Sequence, residues 1–221
     1  MNKINGLLNA GLLALLACLS AQASANDLNA PQQVIKETSD LVYKVVQNDK
    51  SKLDDRNYVF ELVNEILEPR VDLDKVSKLV LGKYWRTAND EQKVQFQKEF
   101  KGLLVNTYAT AFKEFDEWTI HFIPMPFDST EKRLIVKTEI IQPSRPPVAV
   151  DYRMALNETG EWKAYDVIIE GISMVTNYKA SFSKTIKAAG SLDKVIQQLA
   201  EKNKLSETSS QLALDKANKN S

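Results

Sequence analysis

The chain has a single cysteine, Cys18, and a single histidine, His121. Those two shortages remove most thiol, hydrolytic and metal-dependent chemistry. His121 falls in a β-rich stretch without a cluster of Asp, Glu and His residues at ligand spacing. Neither a Ser-His-Asp set nor a metal cluster is therefore expected, and no catalytic or metal-ligating residue is assigned. The seven glycines are scattered, which excludes a phosphate-cradling or dinucleotide loop. Charge of one sign is missing too. With 29 basic against 29 acidic side chains there is no electrostatic handle for nucleic acid or for an anionic membrane surface. No apolar run reaches the ~20 residues that a membrane-spanning helix needs.

What is present begins at the N-terminus. Lys3 precedes an apolar stretch carrying Leu7, Leu8, Leu12, Leu13, Leu15 and Leu16, and Ala21-Gln22-Ala23 and Ala23-Ser24-Ala25 each offer a small-residue cleavage site. Residues 1–25 thus read as a cleavable export signal. Leu15-Leu16-Ala17-Cys18 resembles a lipoprotein box, but Leu16 fits it poorly and two ordinary cleavage sites follow. Ordinary cleavage removes the only thiol and with it any disulfide. Residues 26–201 are expected to fold as one soluble, monomeric domain. Residues 202–221, polar and poor in aromatics, are expected to be a disordered tail.

Hydrophobic spacing then divides the domain into helices, strands and helices again. Val34, Ile35, Leu41, Val42, Val45 and Val46 form one helical stripe, and Tyr58, Val59, Leu62, Val63, Ile66 and Leu67 form another that Pro69 stops. Asp72 can cap a short helix running towards Gly82. Asn89 with Gln92 resembles a capping box and opens a long helix bearing Phe96, Phe100, Leu103, Leu104 and Tyr108. Period-2 alternation follows over residues 118–123, 134–141 and 148–156. In the last of these, Val148, Val150, Tyr152, Met154 and Leu156 share a face. Residues 157–160 turn the chain into a strand over 162–169. Helical spacing returns with Met174, Val175, Tyr178, Phe182 and Ile186, ends near Gly190, and resumes after Ser191. That block order predicts an α+β fold, an antiparallel sheet with helices on one face.

Two features invite a functional reading. Asp166 and Glu170 flank the apolar run Val167-Ile168-Ile169 near Tyr165. They suit either an acid/base pair beside a cavity or structural duties, with Asp166 paired to Arg153 and Glu170 satisfying the turn at Gly171. The apolar stripes either fill a core or line a cavity. Face logic selects Val80, Tyr84, Phe100, Leu104, Tyr108, Val150, Tyr152, Met154, Met174 and Val175 as candidate cavity residues. Lys83, Arg86, Arg145 and Arg153 are candidates for phosphate or partner contact.

Several ordered segments carry a family likeness. These are Leu79-Val80-Leu81-Gly82-Lys83-Tyr84-Trp85-Arg86, the Gln92/Phe96/Phe100/Tyr108 helix, Arg145-Pro146-Pro147-Val148 with Asp151-Tyr152-Arg153, Trp162-Lys163-Ala164-Tyr165-Asp166-Val167, and Glu170-Gly171-Ile172-Ser173-Met174. Together they resemble the MlaC, or toluene-tolerance, family. The resemblance implies a twisted antiparallel sheet of cystatin/NTF2-like type with a helical lobe enclosing an apolar pocket. It also implies a periplasmic phospholipid carrier that needs no cofactor and holds phospholipid as cargo. The implied partners are an inner-membrane ABC transporter with an MCE-domain ring and an outer-membrane lipoprotein–porin complex, and the implied role is maintenance of outer-membrane lipid asymmetry. An NTF2-like isomerase using a pocket carboxylate and a purely structural envelope adaptor are the competing readings.

Overall fold

The computed structural model describes residues 28–113 and 117–219, so residues 1–25, expected to be an export signal, lie with Cys18 outside the described residues. Helix α1 (Ala30–Asn48) opens with a capping box. Asn29 Oδ1 accepts from the Gln32 amide at 3.2 Å, and Gln32 Oε1 accepts from the Asn29 amide at 3.0 Å. Helix α2 (Arg56–Leu62) is capped by Asp55 and runs into a π-helical turn, Val63–Leu67, then a 3₁₀ turn, Glu68–Arg70. Pro69 explains that sequence of turns. It donates no hydrogen bond and its ring crowds the carbonyl four residues back, so the helix widens before the proline and ends at it.

Helix α3 (Leu73–Leu81) starts at Asp72, whose carboxylate accepts from the Lys75 amide at 2.9 Å, and stops at Gly82, where φ is 55°. The short α4 (Lys83–Thr87) leads to α5 (Asp90–Lys113). The expected capping box is in place there, with Asn89 and Gln92 exchanging bonds of 3.0 and 2.8 Å. Phe96 and Phe100 are fully buried on α5 and meet Phe182 edge-on. Those rings centre the core of the helical lobe.

Strands β1 (Thr119–Phe122), β2 (Arg133–Ile141), β3 (Val148–Leu156), β4 (Trp162–Ile169) and β5 (Ile172–Ser173) form one antiparallel sheet in chain order. One face carries Leu134, Val136, Tyr152, Met154, Trp162 and Ala164 against Val34 and Ile35 of α1. The other exposes Arg133, Ile135 and Lys137. The fold is thus α+β with an antiparallel sheet. Its one irregularity has a consequence. Met154 pairs with Ala164 while Arg153 pairs with Asp166, leaving Tyr165 as an extra residue in β4. The bulge turns Asp166 to the Arg153 side of the sheet, whereas strict alternation from Ala164 would have aimed it at the apolar face.

Helix α6 (Met174–Ala189) ends on Gly190 at φ 86°, and α7 (Leu192–Lys219) closes the chain. The stretch from Lys202, expected from composition to be disordered, is helical through Lys219. Composition concealed its anchor. Asn203 is buried and donates to the Glu99 carbonyl at 2.9 Å, and accepts from Asn106 Nδ2 at 3.0 Å. Gly102 makes room for it, since a Cβ there would lie 2.6 Å from Asn203 Nδ2. Among the described residues no helix is long and apolar enough to cross a membrane.

Candidate functional site: apolar hollows that meet at Leu67

The turns forced by Pro69 leave space behind them. One hollow of about 220 Å³ lies between the π turn, Val71, Leu73 and the Leu104–Val105–Tyr108 side of α5. A second, of about 330 Å³, lies between Ile35, Thr38 and Val42 of α1 and the Ile120, Ile140, Tyr152 and Val167 face of the sheet. A third, of about 50 Å³, is enclosed by α1, α2 and the π turn. Leu67 lines all three, Val42 is shared by the second and third, and Val59 and Val63 by the first and third. The exposed wall surface is almost wholly apolar, aliphatic with Tyr108, Trp118 and Tyr152 among it, the composition expected of a pocket for apolar ligands.

Polar groups at the hollows are held neutral or kept at the rim. Burial pushes the Tyr152 phenol up to about 12, with the hydrogen bond it shares with Thr138 pulling the other way. Behind Tyr108, Tyr178 donates to the Tyr108 oxygen at 3.5 Å, and Tyr108 donates to Met174 Sδ at 3.6 Å. Burial, then Tyr108, hold the Tyr178 phenol well above the ordinary range. At the rim, Lys101 Nζ donates to Asn64 Oδ1 at 3.0 Å and to Glu68 Oε2 at 3.1 Å.

The candidate residues divide between wall and core. Leu104 and Tyr108 line the first hollow and Tyr152 the second. Val80 and Phe100 are packed solid in the helical lobe, with Tyr84 and Val175 against them. Met154 is fully buried at the α1–sheet contact, Val150 is buried, and Met174 touches Tyr108. Of the cations, Lys83 sits over the Tyr84 ring at 5.1 Å, while Arg86 and Arg145 are exposed. Arg153 is bound to Asp166 at 3.0 Å. None of these four lines a hollow. Face logic missed Val42, Val59, Val63, Leu67 and Lys101. The signal for most of them was the stretch from Tyr58 to Leu67, which is apolar over more of its circumference than one packed face requires.

Asp166 takes the structural alternative as expected, whereas the Glu170 side chain serves the start of β3 rather than the turn at Gly171. Asp166 is buried and accepts from Arg153 Nη1 at 3.0 Å, Ser173 Oγ at 2.6 Å and the Val175 amide at 3.0 Å, so it anchors the first turn of α6. Glu170, at φ 48°, accepts from the Ala149 amide at 2.6 Å. Neither lines a hollow. His121 faces Glu139 at 3.2 Å on the exposed side of the sheet. Among the described residues no cluster of three or more metal-ligating side chains is present.

An α+β protein in which an antiparallel sheet and surrounding helices enclose apolar hollows is the class this geometry defines. The chain belongs to the MlaC protein family, whose model matches residues 36–201. It is 31% identical to the toluene tolerance protein ttg2D of Pseudomonas putida, over 86% of this chain and 88% of that one. It is 28% identical to the intermembrane phospholipid transport system binding protein MlaC of Haemophilus influenzae, over 66% of this chain and 70% of the relative. The phospholipid-binding protein from Ralstonia solanacearum, solved in complex with a phospholipid, superposes with a TM-score of 0.73 at 30% identity. That match covers 80% of this chain and 98% of the solved one.

Proposed function

We propose that this protein is a periplasmic carrier of glycerophospholipid, exported with removal of residues 1–25. It shuttles lipid between an inner-membrane ABC transporter bearing an MCE-domain ring and an outer-membrane lipoprotein–porin complex, and so helps to maintain outer-membrane lipid asymmetry. The convergence of three apolar hollows on Leu67 carries this reading. The phospholipid-bound relative supports it. At ~0.8 kcal/mol per methylene, two acyl chains with about 30 methylenes lose on the order of 24 kcal/mol on entering water. A lipid therefore crosses an aqueous gap only if its chains stay enclosed. Leu104, Tyr108 and Tyr152 are the proposed chain contacts among the sequence candidates. The proposed role is binding, and both oxygens of Asp166, the carboxylate a pocket-acid reading would use, are engaged in holding α6 and Arg153.

Transfer of labelled phospholipid between donor and acceptor vesicles separated by a membrane-free aqueous phase tests the carrier role. The purified protein is expected to accelerate transfer in proportion to its concentration. Asp166→Asn is expected to lower stability by about 1–3 kcal/mol while transfer per folded molecule persists. Transfer no faster than the spontaneous rate would sink the proposal.

A further inference from the structure

Among the described residues, Lys101 and Glu68 are the charged side chains that line the three hollows. They approach from different elements, Lys101 from α5 and Glu68 from the 3₁₀ turn at Pro69, and pair at 3.1 Å over the first hollow. Their side chains are 24% and 46% exposed, so each charge sits at the rim. The Lys101 stem lies on apolar wall, the usual disposition of a long amphipathic side chain. Asn64 completes the bridge from the π turn.

Under the carrier reading, acyl chains that enter the first hollow from this rim would part the bridge. Parting leaves an ammonium and a carboxylate side by side at the mouth of an apolar space. A head group that carries a phosphate and an amine in covalent sequence satisfies both charges. One that carries phosphate alone satisfies Lys101 and sets an anion against Glu68. We infer that Lys101 and Glu68 form a head-group site for zwitterionic glycerophospholipids, Lys101 taking the phosphate and Glu68 the amine. The inference rests on the carrier reading above and adds to it a preference among lipids. A second ion pair, Lys36 with Asp40, lines a separate and more polar surface concavity between α1 and β1, but lies along one helix at i and i+4, with both side chains 54% exposed. It lines none of the three apolar hollows and serves as the control.

The test equilibrates the purified protein with vesicles of equimolar phosphatidylethanolamine and phosphatidylglycerol, then measures both lipids in the re-isolated protein by mass spectrometry. Exposed charge contacts of this type predict about a two- to fivefold enrichment of phosphatidylethanolamine in the wild type. Glu68→Gln is expected to bring the ratio close to one, Glu68→Lys to invert it, and Lys101→Met to lower uptake of both lipids. Lys36→Met and Asp40→Asn are expected to leave the ratio unchanged. Phospholipid bound at the vesicle ratio by the wild type and by every variant overturns the head-group site alone. A ratio that moves with Lys36 and Asp40 rather than with Glu68 overturns it as well. Absence of phospholipid from all of them, wild type included, overturns the carrier reading and this site together.

Discussion

Tyr152 shows how a single wall residue reports on the hollow behind it. An exposed phenol titrates near 10, and burial in the α1–sheet space pushes this one up to about 12. A folded-state value raised above the unfolded one means that the folded protein binds the proton more tightly. The stabilisation is fully present below about pH 10 and is lost as pH rises through about 12. Tyr178 is shifted in the same direction, first by its own burial and then by its contact with Tyr108. Urea unfolding at successive pH values between 8 and 12 should therefore show a steep alkaline decline. Tyr152→Phe should make that decline shallower, with Tyr178 and, through their bonds to Asp49, Tyr58 and Lys52 supplying the remainder. An alkaline slope identical in the wild type and Tyr152→Phe would mean that the phenol is hydrated.

At the scale of elements, the contact of α7 with α5 depends on one missing Cβ. Gly102→Ala places a methyl 2.6 Å from Asn203 Nδ2 and disrupts bonds that link Asn203 to Glu99 and Asn106. The expected cost is about 1–3 kcal/mol. Amide exchange in the second half of α7 should accelerate with it. Adding Asn203→Ala, which removes the obstructing amide, should return part of the stability. Additive losses in the double variant would contradict this contact. Elements with strong local signals were legible from sequence. The Asn89/Gln92 box and the alternation of β3 each appear where the spacing put them. The continuation of α7 past Lys202 was not legible, because its anchor, Asn203, is a buried amide received by a glycine about 100 positions earlier. The bulge at Tyr165 was equally hidden. A register shift is a property of two strands together, and it decides that Asp166 faces Arg153 instead of a hollow.

Over the whole molecule, periodicity distinguishes inward from outward faces but not packed space from hollow space. Phe100 and Leu104 lie one helical turn apart on α5, yet Phe100 is locked among Phe96, Tyr178 and Phe182 while Leu104 borders a void. What separates them is the path of the chain around Pro69, which holds the π turn away from α5 and leaves Lys101 to bridge the gap. The proposal that these voids hold acyl chains is the central claim. Organic extraction of protein purified from cells, with phospholipid quantified by mass spectrometry against protein amount, tests it most directly. Near-stoichiometric phospholipid is predicted for the wild type. A large reduction is predicted for Leu67→Trp, which fills the point shared by all three hollows. A cooperatively folded wild-type protein that yields no phospholipid would contradict the account.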